Sequence, residues 1–143
     1  MLLREFILKV FSAGRISLGD NLDLLPYEAD ISGPTIKDPT APTGLEFHFA
    51  DGAKPLATPW QVAVERAKQI RKIGLPEGEI LDPACGSGIQ LAAYCAMLGR
   101  RGIGIELDEN TAKAACANLN RVSAHGFGST LMESKIIFGD GTK

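Results

Sequence analysis

Ile80-Leu81-Asp82-Pro83-Ala84-Cys85-Gly86-Ser87-Gly88 is the stretch on which the fold of this chain turns. Glu79 to Asp82 reads as a short strand, and Gly86-Ser87-Gly88 leads into a helix from about Ile89 to Leu98. A glycine turn between strand and helix lets a ligand approach bare backbone at a helix N-terminus. Downstream, Gly102 to Leu107 (GIGIEL) reads as a second strand. Ala112, Ala115, Cys116, Leu119 and Val122 then fall on one stripe of a helix from about Glu109. Lys135 to Phe138 is a third strand, ending at Gly139-Asp140. Strand, helix, strand, helix, strand at this pitch is the mark of right-handed parallel crossovers, half of a doubly wound sheet.

Upstream the pattern loosens. Ala63, Ala67 and Ile70 recur at helical spacing after Thr58-Pro59, with Thr58 as a cap, and Gly74 and Pro76 stop that helix. Leu45-Glu46-Phe47-His48-Phe49 alternates apolar and polar residues before Asp51-Gly52, which predicts a strand and a turn. Ser32 to Gly44 concentrates Pro, Gly and Thr and reads as a loop. Residues 1 to about 30 read as a short amphipathic helix and a mixed segment. The expected organisation is an irregular α+β extension over 1–55, containing the loop at 32–44, and an α/β half-domain over 56–143.

The 143 residues, 45% hydrophobic with a formal net charge of −2, suffice for one self-sufficient core and exclude a disordered chain. No apolar run is long enough for a membrane span, and Arg4, Glu5 and Lys9 interrupt the apolar opening before a signal-peptide core forms. A cytoplasmic protein with no membrane partner is the expectation. Cys85, Cys95 and Cys116 lack paired metal-ligand spacing and read as small buried hydrophobes. His48 and His125 have no second ligand at useful spacing, so no metal is expected.

Asp82 closes the first strand of the parallel unit, Glu106 closes the second and Asp140 follows the third. In an open parallel sheet these carboxyl ends share one crevice, where ligands bind. Three carboxylates in one groove repel each other unless a cationic or donor-rich ligand sits between them. A dinucleotide pyrophosphate is disfavoured beside Asp82, and Leu91 stands where the dinucleotide fingerprint has its third glycine. A phosphate-cradling loop is excluded because no Lys-Ser or Lys-Thr pair follows the glycines. Each residue also has a plainer role: Asp82 as a turn cap, Glu106 as a solvated strand end, Asp140-Gly141 as a turn, Trp60 as a core anchor.

The runs ILDPACGSG, GIGIELDEN and IIFGDGT resemble motifs I, II and III of Rossmann-like, class I S-adenosylmethionine-dependent methyltransferases. The DPACGSG form is similar to that of the amino-methyltransferases of nucleic-acid bases, and Thr58-Pro59-Trp60 resembles the segment preceding motif I in that group. The resemblance covers about Thr58 to Lys143 and implies a partial doubly wound Rossmann-like sheet, its first three strands. It implies that Asp82 and the backbone of Ala84, Gly86 and Gly88 hold the methionine part of S-adenosylmethionine. It further implies that Glu106 accepts from the ribose hydroxyls, Leu107 packs on the adenine, and Asp140 accepts from the adenine amino group. Thr58 and Trp60 would close over the methionyl end. RNA or DNA as substrate rests on the resemblance alone.

In the resembling family an Asp/Asn/Ser-Pro-Pro-aromatic motif on a fourth strand orients the target amine. This chain contains no Pro-Pro pair. The expectation is therefore the cofactor-binding part of a methyltransferase, with little activity of its own. The alternative is a non-catalytic cofactor-binding or partner-binding module, such as a subunit of a split enzyme. Without a fourth strand, Glu79 to Asp82 becomes a sheet edge, to be covered by a second copy, a partner chain or the Leu45 to Phe49 strand.

Overall fold

The computed structural model describes residues 33–50, 58–127 and 134–141. The amphipathic segment expected at the N-terminus lies outside them. In chain order the elements are β1 (Thr35–Lys37), β2 (Glu46–His48), α1 (Trp60–Ile73), β3 (Ile80–Asp82), α2 (Ile89–Leu98), β4 (Gly102–Glu106), α3 (Glu109–Val122) and β5 (Lys135–Phe138). A π-type turn over Ser123–Phe127 extends α3.

β3, β4 and β5 form a three-stranded parallel sheet with β4 at its centre. The strand order never reverses, so right-handed crossovers place α2 and α3 on the same face, and the two helices touch. The fold class is thus mixed α/β with a parallel sheet, as the sequence predicts. Gly102 of β4 brings α2 close, and Gly104 does the same for the turn before α2. A Cβ on Gly102 would lie 2.5 Å from Cys95 Sγ, and one on Gly104 would lie 2.8 Å from Cys85 Sγ. Glycine inside a strand weakens it, and it stands here because another element needs the space. Ile103 and Ile105 point to the opposite face and are buried as well.

The two ends of α2 and the start of α3 have local causes. Gly88 (φ 76°) begins α2 and Gly99 (φ 63°) ends it, donating its N–H to the Cys95 carbonyl. Asp108 caps α3, its Oδ2 accepting the Thr111 N–H at 2.8 Å and the Thr111 hydroxyl at 2.7 Å. Those two hydrogen bonds lower the Asp108 pKa below its ordinary value. α2 contacts α1, α3, β3 and β4, which explains why Ile89, Leu91, Ala92, Ala93 and Cys95 are all buried along it.

The N-terminal region differs from expectation in three respects. The Pro-rich stretch read as a loop contains β1, which pairs antiparallel with β2 in the register Ile36↔Phe47. That pairing occupies β2, so the Leu45 to Phe49 segment does not cover β3; among the described residues β3 pairs only with β4. Thr58 does not cap α1. Instead Asp38 Oδ2 accepts the Trp60 N–H at 2.7 Å, and the Thr40 hydroxyl accepts the Gln61 N–H at 3.2 Å. Proline at the N-cap, Pro59, has no side-chain acceptor of its own, so a loop twenty residues upstream supplies one. Leu45, Phe47 and Phe49 of the hairpin share one hydrophobic core with α1, α2 and α3.

Candidate functional site

The carboxyl edge of the parallel sheet gathers the acids. In register Asp82 lies beside Gly104, and Glu106 beside Phe138, so Glu106 projects two residues beyond Asp82. The Glu106 carbonyl then accepts the Gly139 N–H at 2.8 Å, which carries the β4–β5 pairing past the strands' ends. A Cβ on Gly141 would lie 2.2 Å from the Pro83 carbonyl oxygen. The segment after β5 therefore crosses the end of β4 and reaches the turn after β3, which only a glycine at 141 allows. Asp82, Glu106 and Asp140 thus stand on three segments meeting at one edge.

The glycine turn and the acids are directly joined. Glu106 Oε2 accepts the Gly86 N–H at 3.0 Å, and Oε1 accepts the Asp108 N–H at 3.4 Å. Asp82 Oδ1 accepts the Ala84 N–H at 3.2 Å. A carboxylate oxygen can accept two hydrogen bonds and these accept one each, so both groups keep acceptor capacity for a ligand. Burial raises the Asp82 pKa above its ordinary value, against the smaller opposing effect of the Ala84 N–H. Between them sits Cys85, whose buried thiol is pushed up first by burial and then by the charges of Asp82 and Glu106. Two carboxylates from different strands act on one point, and the thiol stays protonated and inert.

The turn is geometrically tight. Gly86 (φ 57°) and Gly88 (φ 76°) are both left-handed, and a Cβ on Gly88 would meet the Ala115 Cβ at 3.0 Å and its Cα at 3.2 Å. The Gly88 N–H donates to the Cys85 carbonyl at 3.0 Å, and the Cys85 N–H to the Ile105 carbonyl at 3.0 Å. Leu107, next to Glu106, is 68% exposed and presents an apolar surface beside the acids.

The two upstream residues part company. Thr58 donates its hydroxyl to Gln90 Oε1 at 3.1 Å, and Gln90 Nε2 donates to the Tyr94 hydroxyl at 2.9 Å, which ties Thr58 to the first turn of α2. Trp60 does not close over the edge. The residue is 3% exposed, its ring stacked on Phe47 (centroids 6.0 Å apart) and tilted against Phe127 (5.3 Å), a core anchor. Between the hairpin and the starts of α1 and α2 lies an open cleft of about 160 Å³. Ile36, Phe47, Phe49, Thr58, Pro59 and Ile89 wall it.

Two participants escape a reading of the sequence. Asn118 is fully buried on α3 and hydrogen-bonds both the hairpin and the glycine turn. Its signal was available: it lies three residues after Ala115 and four before Val122, a polar side chain on a buried stripe. Asp38 holds the Thr40 N–H at 2.8 Å and the Thr40 hydroxyl at 2.6 Å on one oxygen and α1 on the other. Among the described residues no cluster of His, Cys, Asp and Glu is placed to hold a metal ion. No helix among them is long and apolar enough to cross a membrane. Comparison with protein-family models, with curated proteins and with solved structures finds no match to this chain.

Proposed function

We propose that the chain holds S-adenosylmethionine at the carboxyl edge of its parallel sheet, as the cofactor-binding part of a cytoplasmic methyltransferase. The observation that carries this reading is the hydrogen bond from the Gly86 N–H to Glu106, which joins one strand-end acid to the bare glycine backbone lining the proposed groove. Such a groove suits a ligand with a positive sulfur and an ammonium better than a pyrophosphate. In this reading Asp82 and the backbone of Ala84, Gly86 and Gly88 take the methionine part, Glu106 the ribose and Asp140 the adenine amino group. The exposed face of Leu107 takes the adenine ring. The cofactor supplies an electrophilic methyl group on its sulfonium; the chain's own residues bind and orient it. Thr58 contributes through Gln90, and Trp60 only through the core.

A nucleic-acid base amino group is the proposed methyl acceptor, on the strength of the DPACGSG motif form. The absence of a Pro-Pro pair favours a second reading for the isolated chain, a binding module completed by a partner chain or second copy. Titration calorimetry with S-adenosylhomocysteine and with NAD tests the binding claim, and only the first is expected to bind. Glu106→Ala removes hydrogen bonds to a charged group and should weaken that binding about tenfold or more. Glu106→Gln keeps an acceptor for the Gly86 N–H and separates ribose contact from turn geometry. Unchanged affinity in Glu106→Ala would remove Glu106 from the site.

A further inference from the structure

We infer that Asn118 is a positioning residue for the glycine turn, and that through it the β1–β2 hairpin is a working part of the site. The inference rests on the binding reading above but is carried by separate contacts. Asn118 Oδ1 accepts the His48 N–H at 2.7 Å, and its Nδ2 donates to the His48 carbonyl at 3.0 Å and to the Ser87 carbonyl at 2.7 Å. The side chain is 0% exposed, and both of its donor hydrogens are committed. On the hairpin side it substitutes for a neighbouring strand, satisfying both backbone groups of one β2 residue.

The contact on the other side matters more. Ser87 sits between two left-handed glycines, and its carbonyl belongs to the peptide linking it to Gly88, the residue that opens α2. The N–H of that same peptide donates to the Cys85 carbonyl. The peptide plane is therefore pinned at both ends, its oxygen by Asn118 and its nitrogen by the turn itself. Glycine neighbours impose little resistance to a peptide flip, so the oxygen-side pin decides which backbone amides face the groove. Aspartate at 118 would lack donors, leucine would lack every polar group, and glutamine would be one carbon too long. A second path runs in parallel: Asp38 and Thr40 of the hairpin's connecting loop seat α1, and Thr58 beside α1 holds Gln90 on α2.

Two measurements test this. The first uses the unmodified protein without ligand: native-state hydrogen exchange should give the His48 and Gly88 amides one common opening, lost together as denaturant rises. The second compares Asn118→Asp with the unmodified chain for S-adenosylhomocysteine affinity from pH 7.5 down to pH 5. At pH 7.5 the variant should bind about tenfold more weakly, since it leaves buried carbonyls without donors. Protonation restores one donor, so the ratio of the two affinities should narrow as pH falls. A His48 amide that opens independently of Gly88 would overturn the inference, as would a variant with unchanged affinity or a ratio indifferent to pH. If the unmodified chain binds no S-adenosylhomocysteine, the binding reading fails, and the exchange experiment alone decides the role of Asn118.

Discussion

The parallel unit and the hairpin share one core yet are encoded in opposite ways. In the parallel unit each boundary has a cause within a few residues: Gly88 and Gly99 bracket α2, and Asp108 caps α3 through Thr111. In the hairpin the defining contacts are remote. Asp38 reaches Trp60, 22 residues on, and His48 meets Asn118, 70 residues on. Arg121 donates to the Glu46 carbonyl across 75 residues. Locally determined structure tolerates isolation from its surroundings; remotely determined structure exists only while its partners stay in place. The two regions should therefore fail differently when struck.

The largest effect is expected within the parallel unit. Gly88→Ala combines a left-handed backbone with a Cβ pressed on the Ala115 backbone at 3.2 Å. Backbone strain of about 1–2 kcal/mol and overpacking of a similar size should together cost about 3 kcal/mol. Gly86→Ala has the same backbone sign but open space around its Cβ, so it should cost only about 1–2 kcal/mol. Urea denaturation of both variants measures the difference, which isolates the contact between the turn and α3. Equal losses would mean that Ala115 yields freely and that its contact does not hold the turn.

That contrast also marks how far the sequence could be read. Helix α2 and strand β5 lie where glycine punctuation and apolar periodicity put them, because those signals act over one turn or one strand. Glu106 and the glycine turn are brought together as their spacing implies, since a strand end about twenty residues past such a turn is its neighbour in a parallel sheet. β1 was invisible. Pro34, Pro39 and Pro42 argue against a strand locally, but Pro34 and Pro39 flank Thr35–Lys37 and leave its backbone N–H groups intact. Trp60 was ambiguous for a related reason, since only the arrival of Phe47 and Phe127 makes its position interior. Asn118 needed the reverse inference: a polar group on an apolar stripe demands a buried partner, which here is backbone from two distant segments.

An intermediate effect is expected where the hairpin is seated. Asp38→Ala removes the acceptor for the Trp60 N–H and the anchor of Thr40, and should cost about 1–2 kcal/mol, the range of a lost helix cap. Burial would raise the Asp38 pKa, but the Thr40 hydroxyl and the Trp60 and Thr40 N–H groups outweigh it and hold the pKa below its ordinary value. A carboxylate with a depressed folded-state pKa stabilises the fold above its unfolded value and loses that stabilisation as pH falls through the folded one. Unfolding of the unmodified chain should therefore show an acid-dependent loss below about pH 4, and Asp38→Ala should show a smaller one that keeps only the share of other carboxylates such as Asp108. Exchange should quicken at β1 and β2 while the β4 amides stay protected. Uniform loss across both regions would erase the distinction between them.

The smallest effect on stability is expected at Asp82, and there its sign reverses. Because burial raises this pKa, the ionised carboxylate costs folding free energy, in full above the folded-state value and not at all below the unfolded one. Asp82→Asn keeps an oxygen for the Ala84 N–H and removes the charge, so the ligand-free protein at pH 7 should gain stability. The gain should be under about 1 kcal/mol, because the group is only partly buried. The ammonium of S-adenosylhomocysteine beside Asp82 favours the charged form, so the same substitution should weaken its binding several-fold, by about 1 kcal/mol. In the unmodified chain that affinity should fall as pH drops through the raised Asp82 value, and in the variant this part of the pH dependence should vanish. Thermal unfolding and calorimetry on one preparation read both quantities. A variant that is more stable but binds more weakly puts Asp82 in the ligand groove. One that is more stable with unchanged affinity makes it a turn residue whose burial serves no ligand.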